Sequence, residues 1–297
     1  MSTLLRRTPQ PGTRARTPLP SPPLTIGILG AGRVGTVLGA ALSAAGHQIV
    51  ASGGRSSAVE VARAATDLLV IAVPDDALGP LVAHLAEEKA FHDGQVVAHT
   101  SGAHGIGILH PAVAAGVRPM ALHPAMTFTG RPDDLARLRG TSFGVTVPDE
   151  LRTLAAGLVA DLGGTPEWIA EADRALYHTA LAHGANHLVT LVNDALDRLR
   201  DAGVVHPERV LGPLVQAALD NTLRFGDAAL TGPVSRGDAG TVAKHLDTLA
   251  ATAPDSVAAY RALARRTADR AIASGRLRPI DAEGLLDVLT TYVEVTA

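Results

Sequence analysis

The 297-residue chain contains no cysteine. Disulfides, thiolate-bound zinc, iron–sulfur clusters and a cysteine nucleophile are thereby excluded. Nothing in it calls for an oxidising compartment, so a cytoplasmic protein is expected. Lysine is nearly absent, at Lys89 and Lys244 only, and arginine supplies the remaining basic positions. The net charge is −3, which leaves no electrostatic footprint for nucleic acid or an anionic membrane. No apolar run approaches the roughly 18 residues of a membrane span. Aromatic residues make up only 3%, so a core has to be built from Leu, Val and Ala. No metal site is expected.

What is present is a chain that is 46% hydrophobic, enough for a sizeable core, with a length that suits about two domains. Residues 1–23 hold four arginines and six prolines without an apolar stretch. They are expected to form a disordered tail rather than a secretory signal, which needs an apolar segment after its charges. From Leu24 to Val147 short apolar runs alternate with helical stretches. Leu24–Leu29, Gln48–Ala51, Leu68–Val73, Gln95–Ala98, Val117–Leu122 and Ser142–Val147 read as strands. Val34–Ala45, Asp76–Glu88 and Gly107–Ala115 read as helical. Continuous apolar strands separated by helices predict a parallel sheet covered on both faces, the α/β doubly wound Rossmann arrangement. Asp149–Leu162 reads as one more helix and Thr165–Ile169 as a last strand. From Glu171 onward the pattern is helical. The expected organisation is therefore a tail over 1–23, a dinucleotide-binding domain over 24–170 and an all-helical domain over 171–297.

Gly30-Ala31-Gly32-Arg33-Val34-Gly35 is a G-x-G-x-x-G placed between an expected strand and an expected helix. That context gives the motif its meaning. Gly30 permits the tight turn, Gly32 lets the backbone approach a pyrophosphate, and Gly35 lets the helix pack close to the strand. Free amides at the helix start then hold the phosphates. An NAD enzyme usually places Asp or Glu at the end of the second strand for the ribose hydroxyls. Here the chain reads Ala51-Ser52-Gly53-Gly54-Arg55-Ser56-Ser57, with no carboxylate before Glu60. Arg55, Ser52 and Ser56 suit a 2′-phosphate through charge-assisted hydrogen bonds. NADP(H) is therefore expected in preference to NAD(H), with Val73 and Pro74 along the nicotinamide edge.

Ligands in an open α/β sheet sit beyond the carboxyl ends of the strands. Three such ends carry candidates: Val73-Pro74-Asp75-Asp76, His99-Thr100-Ser101-Gly102 and His123-Pro124-Ala125. Ser101 and His123 are placed to polarise a substrate carbonyl, while Asp75 and Asp76 suit the start of the next helix. Between His178 and Asn193 no charged residue occurs. Thr179, His183, Asn186, Thr190 and Asn193 recur there at helical spacing. Such an uncharged polar stripe is either the wall of a cleft, with His183 or His187 as proton donor, or an interhelical or dimer contact. Thr231-Gly232-Pro233-Val234-Ser235-Arg236-Gly237-Asp238 precedes Lys244 and His245. Arg236 and His245 are candidates for holding a substrate carboxylate; Asp238 alternatively pairs with Arg236 or caps the following helix.

Taken in order, G-A-G-R-V-G, V-P-D-D, H-T-S-G, L-H-P-A-M-T-F, Y-H-T-A-L-A-H-G-A-N-H and T-G-P-V-S-R-G-D with K-H-L resemble the Rossmann-like oxidoreductases that carry a C-terminal domain of unknown function 2520. The resemblance runs from about Leu24 to Thr291. That family looks distantly similar to ketopantoate reductase, pyrroline-5-carboxylate reductase and 6-phosphogluconate dehydrogenase. The resemblance implies hydride transfer between a nicotinamide and the C=O or C=N bond of a small acid, ketopantoate-like among others, and a homodimer through the helical domain. Several of those relatives place a catalytic lysine four residues before an asparagine. Asn186 is present, but Ala182 stands where the lysine would be. The proton donor is then His183, His187 or His245. The alternatives are a non-catalytic NADP(H)-binding sensor and a deazaflavin–NADP oxidoreductase.

Overall fold

The computed structural model describes residues 23–291; the expected tail over 1–23 falls, apart from Pro23, outside the described residues. The chain divides into two compact units, one ending at Gly184 and the other beginning at Ala185. This division lies later than the Glu171 expected from the sequence. The segment after Glu171 is tied by hydrogen bonds to the sheet loops of the first unit.

The first unit is built on a seven-stranded sheet. Its strands are β1 (Thr25–Leu29), β2 (Gln48–Gly53), β3 (Leu68–Ile71), β4 (Val96–His99), β5 (Arg118–Pro124), β6 (Ser142–Thr146) and β7 (Thr165–Trp168). The order is β2-β1-β3-β4-β5-β6-β7. All seven expected strands are present. β1 to β5 run parallel, but β6 pairs antiparallel to β5, and β7 parallel to β6. The sheet is therefore parallel-dominant rather than wholly parallel. Apolar runs look alike in either direction when both faces are covered, so the sequence does not announce the reversal.

Helices α1 (Arg33–Ala44), α2 (Ala58–Ala64), α3 (Asp75–Glu87), α4 (His110–Val113), α5 (Asp134–Leu138) and α6 (Arg152–Asp161) flank the sheet. One core layer joins α1 and α6 to one face through Leu38, Leu42, Leu158 and Val159. The other joins α2, α3 and α4 through Val61, Leu78, Val82 and Ala112. Two short helices, α2 and α5, are not expected from the sequence, because seven and five residues show too little periodicity. The expected helices at Gly107–Ala115 and Asp149–Leu162 each open as a 3₁₀ turn before becoming α-helical.

The unit ends with α7 (Arg174–Leu181), which passes into a π-helical turn over Ala182–Asn186. That turn breaks the 3.6-residue period on which the polar stripe through Thr179, His183 and Asn186 depended. A single face for those residues does not follow from their spacing.

The second unit comprises α8 (His187–Asp201), α9 (Pro207–Phe225), α10 (Ala239–Thr252), α11 (Asp255–Ala273) and α12 (Pro279–Thr291). Its core lies among α10, α11 and α12, with Val242, Leu246, Val257, Ala268 and Leu285 fully buried. By contrast α8 has no buried residue and α9 has only Pro207. Among the described residues no helix is long and apolar enough to cross a membrane.

Candidate active site and cofactor cradle

Strand β1 delivers the chain to Gly30, whose φ of +116° only glycine adopts readily. A Cβ there would lie 2.1 Å from the Ala72 carbonyl oxygen. One at Gly35 would lie 2.0 Å from the Gly30 carbonyl oxygen, so α1 sits directly against the turn. A Cβ at Gly32 meets nothing within 4 Å. Of the three glycines, two are required by the protein's own packing and one faces open space at the start of α1. That is the surface a pyrophosphate needs. The chain crosses from β2 to β3 on opposite sides of β1, so this turn also lies at the topological switch point of the sheet.

Two cavities share Gly30. One, of about 240 Å³, is lined by Leu29, Gly54, Arg55, Val73, Ala77 and Leu81. The other, of about 370 Å³, is lined by Ala31, Gly35, Thr36, Ser52 and Gly53 among others. Arg55, Val73 and Ser52 thus border the glycine turn. Arg55 and Ser56 are exposed on a 3₁₀ turn. The Arg55 guanidinium has neither a hydrogen-bond nor an ion-pair partner among the described residues. Arg33 behaves differently: its guanidinium donates to the Phe128 carbonyl at 3.0 Å, tethering the loop after β5 to α1. Val34 is half-buried against the core. Asp75 and Asp76 occupy the first turn of α3 without a side-chain cap bond, where their charge suits the helix dipole.

The carboxyl ends of β4 and β5 are joined by groups from α7 and the turn before it. Arg174 is 1% exposed. It donates to the carbonyls of His104 at 2.9 Å and Gly144 at 3.1 Å, and to that of Ser101. No carboxylate pairs with it among the described residues. Glu171 accepts from the backbone amides of Ile106 at 2.7 Å and Gly107 at 2.9 Å. Together these two residues fix the His99–Gly107 loop on which Ser101 sits. Ser101 is buried, and its hydroxyl oxygen accepts from the His104 amide at 3.1 Å.

His99 is fully buried. Its Nδ1 accepts from the Ser101 amide at 3.2 Å, and its Nε2 lies 2.9 Å from the Gly105 carbonyl. Burial lowers its pKa from 6.5 to about 4, with the Arg174 charge adding to the shift and the Gly105 bond opposing it. His99 is a neutral staple of the loop. His123 is likewise lowered to about 4, first by burial and then by the charges of Arg174 and His178. Its Nδ1 lies 2.9 Å from the Tyr177 hydroxyl. His178 stands edge-on to it at 6.1 Å between ring centres. A Cβ on Gly102 would lie 3.0 Å from His123 Nε2 and 2.6 Å from His178 Cδ2, so only glycine lets the loop close on both rings. Tyr177 is raised by burial, against the opposing Arg174 charge and a Gly144 backbone hydrogen bond. Ser101 and His123 are thus brought to one place. His183 and Asn186 are exposed on the π-helical turn. Tyr177 and Arg174 escaped the sequence reading, because nothing in Y-H-T-A predicts which helix face meets the strand ends.

In the second unit a mostly apolar cavity of about 450 Å³ is lined by Leu191, Asp194, Arg198, His245, Leu249 and Tyr260, among others. His245 Nδ1 lies 2.8 Å from the Tyr260 hydroxyl. Arg236 is exposed and does not line this cavity. Asp238 caps α10, accepting from the Thr241 amide at 3.0 Å and its hydroxyl at 2.7 Å. A Cβ on Gly237, whose φ is +73°, would lie 2.5 Å from the Asp281 carbonyl oxygen. Much of the T-G-P-V-S-R-G-D motif is therefore turn, cap and packing. Among the described residues no group of three or more His, Asp or Glu is placed to hold a metal ion.

A comparison with curated proteins finds no match. Among solved structures, a Bacteroides fragilis protein described as a candidate NADP oxidoreductase aligns with a TM-score of 0.69 at 20% identity, over 83% of this chain and 98% of that one. Protein TM1727 from Thermotoga maritima aligns with a TM-score of 0.64 at 19% identity, over 84% of this chain and all of that one (100%). Plasmodium falciparum pyrroline carboxylate reductase, solved with NADP bound, aligns with a TM-score of 0.54 at 14% identity, over 84% and 98%. At these identities the likeness is one of fold. The family models are more specific. The Rossmann-like domain matches residues 10–124 and the domain of unknown function DUF2520 matches residues 141–267. The chain thus joins a region that matches the Rossmann-like domain to one that matches DUF2520.

Proposed function

We propose that the chain is an NADPH-dependent oxidoreductase that reduces a C=O or C=N bond of a small acid. The observation that carries the reading is the pairing of an open Gly32 cradle with a partnerless Arg55 at the end of β2. No carboxylate lies between Ala51 and Val59 to repel a 2′-phosphate. Gly30, Gly32 and Gly35 would hold the pyrophosphate, and Arg55 with Ser52 and Ser56 the 2′-phosphate. Val73 and Pro74, at the end of β3, would edge the nicotinamide. The dinucleotide would supply a hydride, and the protein orientation and charge.

The neutral state of His123 suits a donor of a hydrogen bond to a carbonyl or imine, and the Arg174 charge favours electron density building up nearby. Ser101 accepts from the His104 amide through its hydroxyl oxygen, which leaves the hydroxyl hydrogen to donate to a carbonyl. His183 and Asn186 remain candidates for further polar contacts. The pyrroline carboxylate reductase of similar fold holds NADP, which agrees with the cofactor.

The helical unit, in the same reading, joins a second copy. Val210 is 55% and Leu214 66% exposed one turn apart on α9, and Val189 is 60% exposed on α8. A helix with apolar residues on its open face needs a partner, and an identical face is self-complementary under a two-fold axis. Light scattering on Val210→Glu/Leu214→Glu is expected to show a monomer where the unaltered protein is a dimer. A monomeric unaltered protein removes this element.

Paired titration of the protein with NADPH and NADH, followed by turnover with a panel of 2-keto acids and cyclic imines, tests the main reading. Tenfold or greater preference for NADPH, about 1.4 kcal/mol, and turnover of at least one acid support it. Preference without turnover favours a sensor. Absence of binding ends both.

A further inference from the structure

The proton source is the gap left by Ala182, and the first unit supplies one. Three observations converge on His123. Its Nδ1 is engaged at 2.9 Å by the Tyr177 hydroxyl. Its Nε2 has no hydrogen-bond partner among the described residues and borders Gly102, the position at which any side chain would collide with it. The Tyr177 hydroxyl packs on Gly144, where a Cβ would lie 2.5 Å from it. His123 Nδ1 is the acceptor within reach of that hydroxyl's hydrogen. The imidazole proton then resides on Nε2.

We propose that Tyr177 is a positioning residue acting through His123: its hydroxyl donates to Nδ1, fixes the Nε2–H tautomer, and resupplies the proton that Nε2 gives to the substrate. The inference rests on the reductase reading for its chemistry. As the substrate's C=O or C=N carbon takes up a hydride, its oxygen or nitrogen gains an electron pair. The Nε2–H bond breaks as the new O–H or N–H bond forms. Nδ1 takes the Tyr177 proton, so the imidazole stays neutral throughout and the tyrosinate is left. The tyrosinate lies near the buried Arg174 charge, 5.6 Å from the ring centre, and recovers its proton from Nδ1 as Nε2 takes one from solvent, which restores the Nε2–H tautomer. The charged and titratable groups facing His123 are Arg174, His178, Asp75 and His99. Of these, Arg174 disfavours an imidazolium and favours the tyrosinate, which is the charge order the relay requires.

The tautomer is measurable without any substrate. In ¹⁵N-histidine-labelled protein at neutral pH, ring-nitrogen correlation spectra are expected to show His123, assigned by its loss in His123→Gln, as a single Nε2–H tautomer. In Tyr177→Phe, which keeps the ring and removes the hydroxyl, a mixture of both tautomers is expected, with an unchanged melting temperature. With a substrate in hand, Tyr177→Phe is expected to lower kcat tenfold or more and to leave NADPH affinity unaltered. An Nδ1–H tautomer in the unaltered protein overturns the proposal, as does a tautomer indifferent to Tyr177→Phe. Failure of every acid to turn over overturns the reductase reading instead, and leaves the tautomer result to stand or fall separately.

Discussion

His123 with Tyr177 in the first unit, and His245 with Tyr260 in the second, are nearly the same object twice. The Nδ1-to-hydroxyl distances are 2.9 and 2.8 Å, and the rings meet edge-on at 5.6 and 5.8 Å. Their surroundings differ. The first pair stands against a sheet end beside a buried arginine without a carboxylate, and its imidazole is held neutral. The second borders an apolar cavity among helices, with His245 itself exposed. Side-chain pairing alone therefore does not assign a role. Burial, a neighbouring cation and the end of a strand make the first pair suited to moving a proton, while the second is suited to lining a pocket.

Stability against acid should separate the two units most. His99 passes from an unfolded pKa of 6.5 to about 4 on folding. Between those values the unfolded chain binds more protons, so stability rises with pH across the window and is lost as pH falls through it. For the fully buried His99 this is on the order of 3 kcal/mol, and His123 acts in the same direction. Trp168, the only tryptophan, lies in β7 of the first unit. Its fluorescence is expected to report acid unfolding before the circular dichroism of the helices does. Simultaneous loss would mean that the two units fail together.

Next in size is catalysis. His123→Gln is expected to lower turnover about 100-fold, the range of a lost proton donor. His245→Gln, in the second unit's own cavity, should leave kcat unaltered. Equal kcat losses would erase the distinction between the pairs. Arg55→Ala, in the first unit, should weaken NADPH by about tenfold to 100-fold, corresponding to one lost charge-assisted bond, and NADH hardly at all; fluorescence titration decides. Smallest is a contrast of glycines. Gly212, inside α9, would meet nothing with a Cβ. Gly212→Ala is expected to stabilise the helical unit by up to about 1 kcal/mol in urea unfolding, whereas Gly30→Ala should abolish dinucleotide binding.

The glycine turn, the seven strands and the missing acid after β2 were legible in the sequence, because each is local: a period, a backbone conformation or a charge within a few residues. The capping by Asp238 was one of two local alternatives, and the cap bond to Thr241 settles it. The reversal of β6, the π-helical turn at Ala182–Asn186 and the short helices α2 and α5 were not legible. Direction, phase and weak periodicity are settled by what the segment packs against.

The sequence by itself determined a Rossmann-like sheet with a phosphate-ready turn, an arginine suited to a 2′-phosphate and a helical second half. Only the tertiary structure decided that Arg174 and Tyr177, some fifty residues beyond His123 in the chain, close on the strand ends, and that His99 and His123 are neutral. Desolvation and long-range contact have no signature in a local pattern. They arise when distant segments exclude water from the same place.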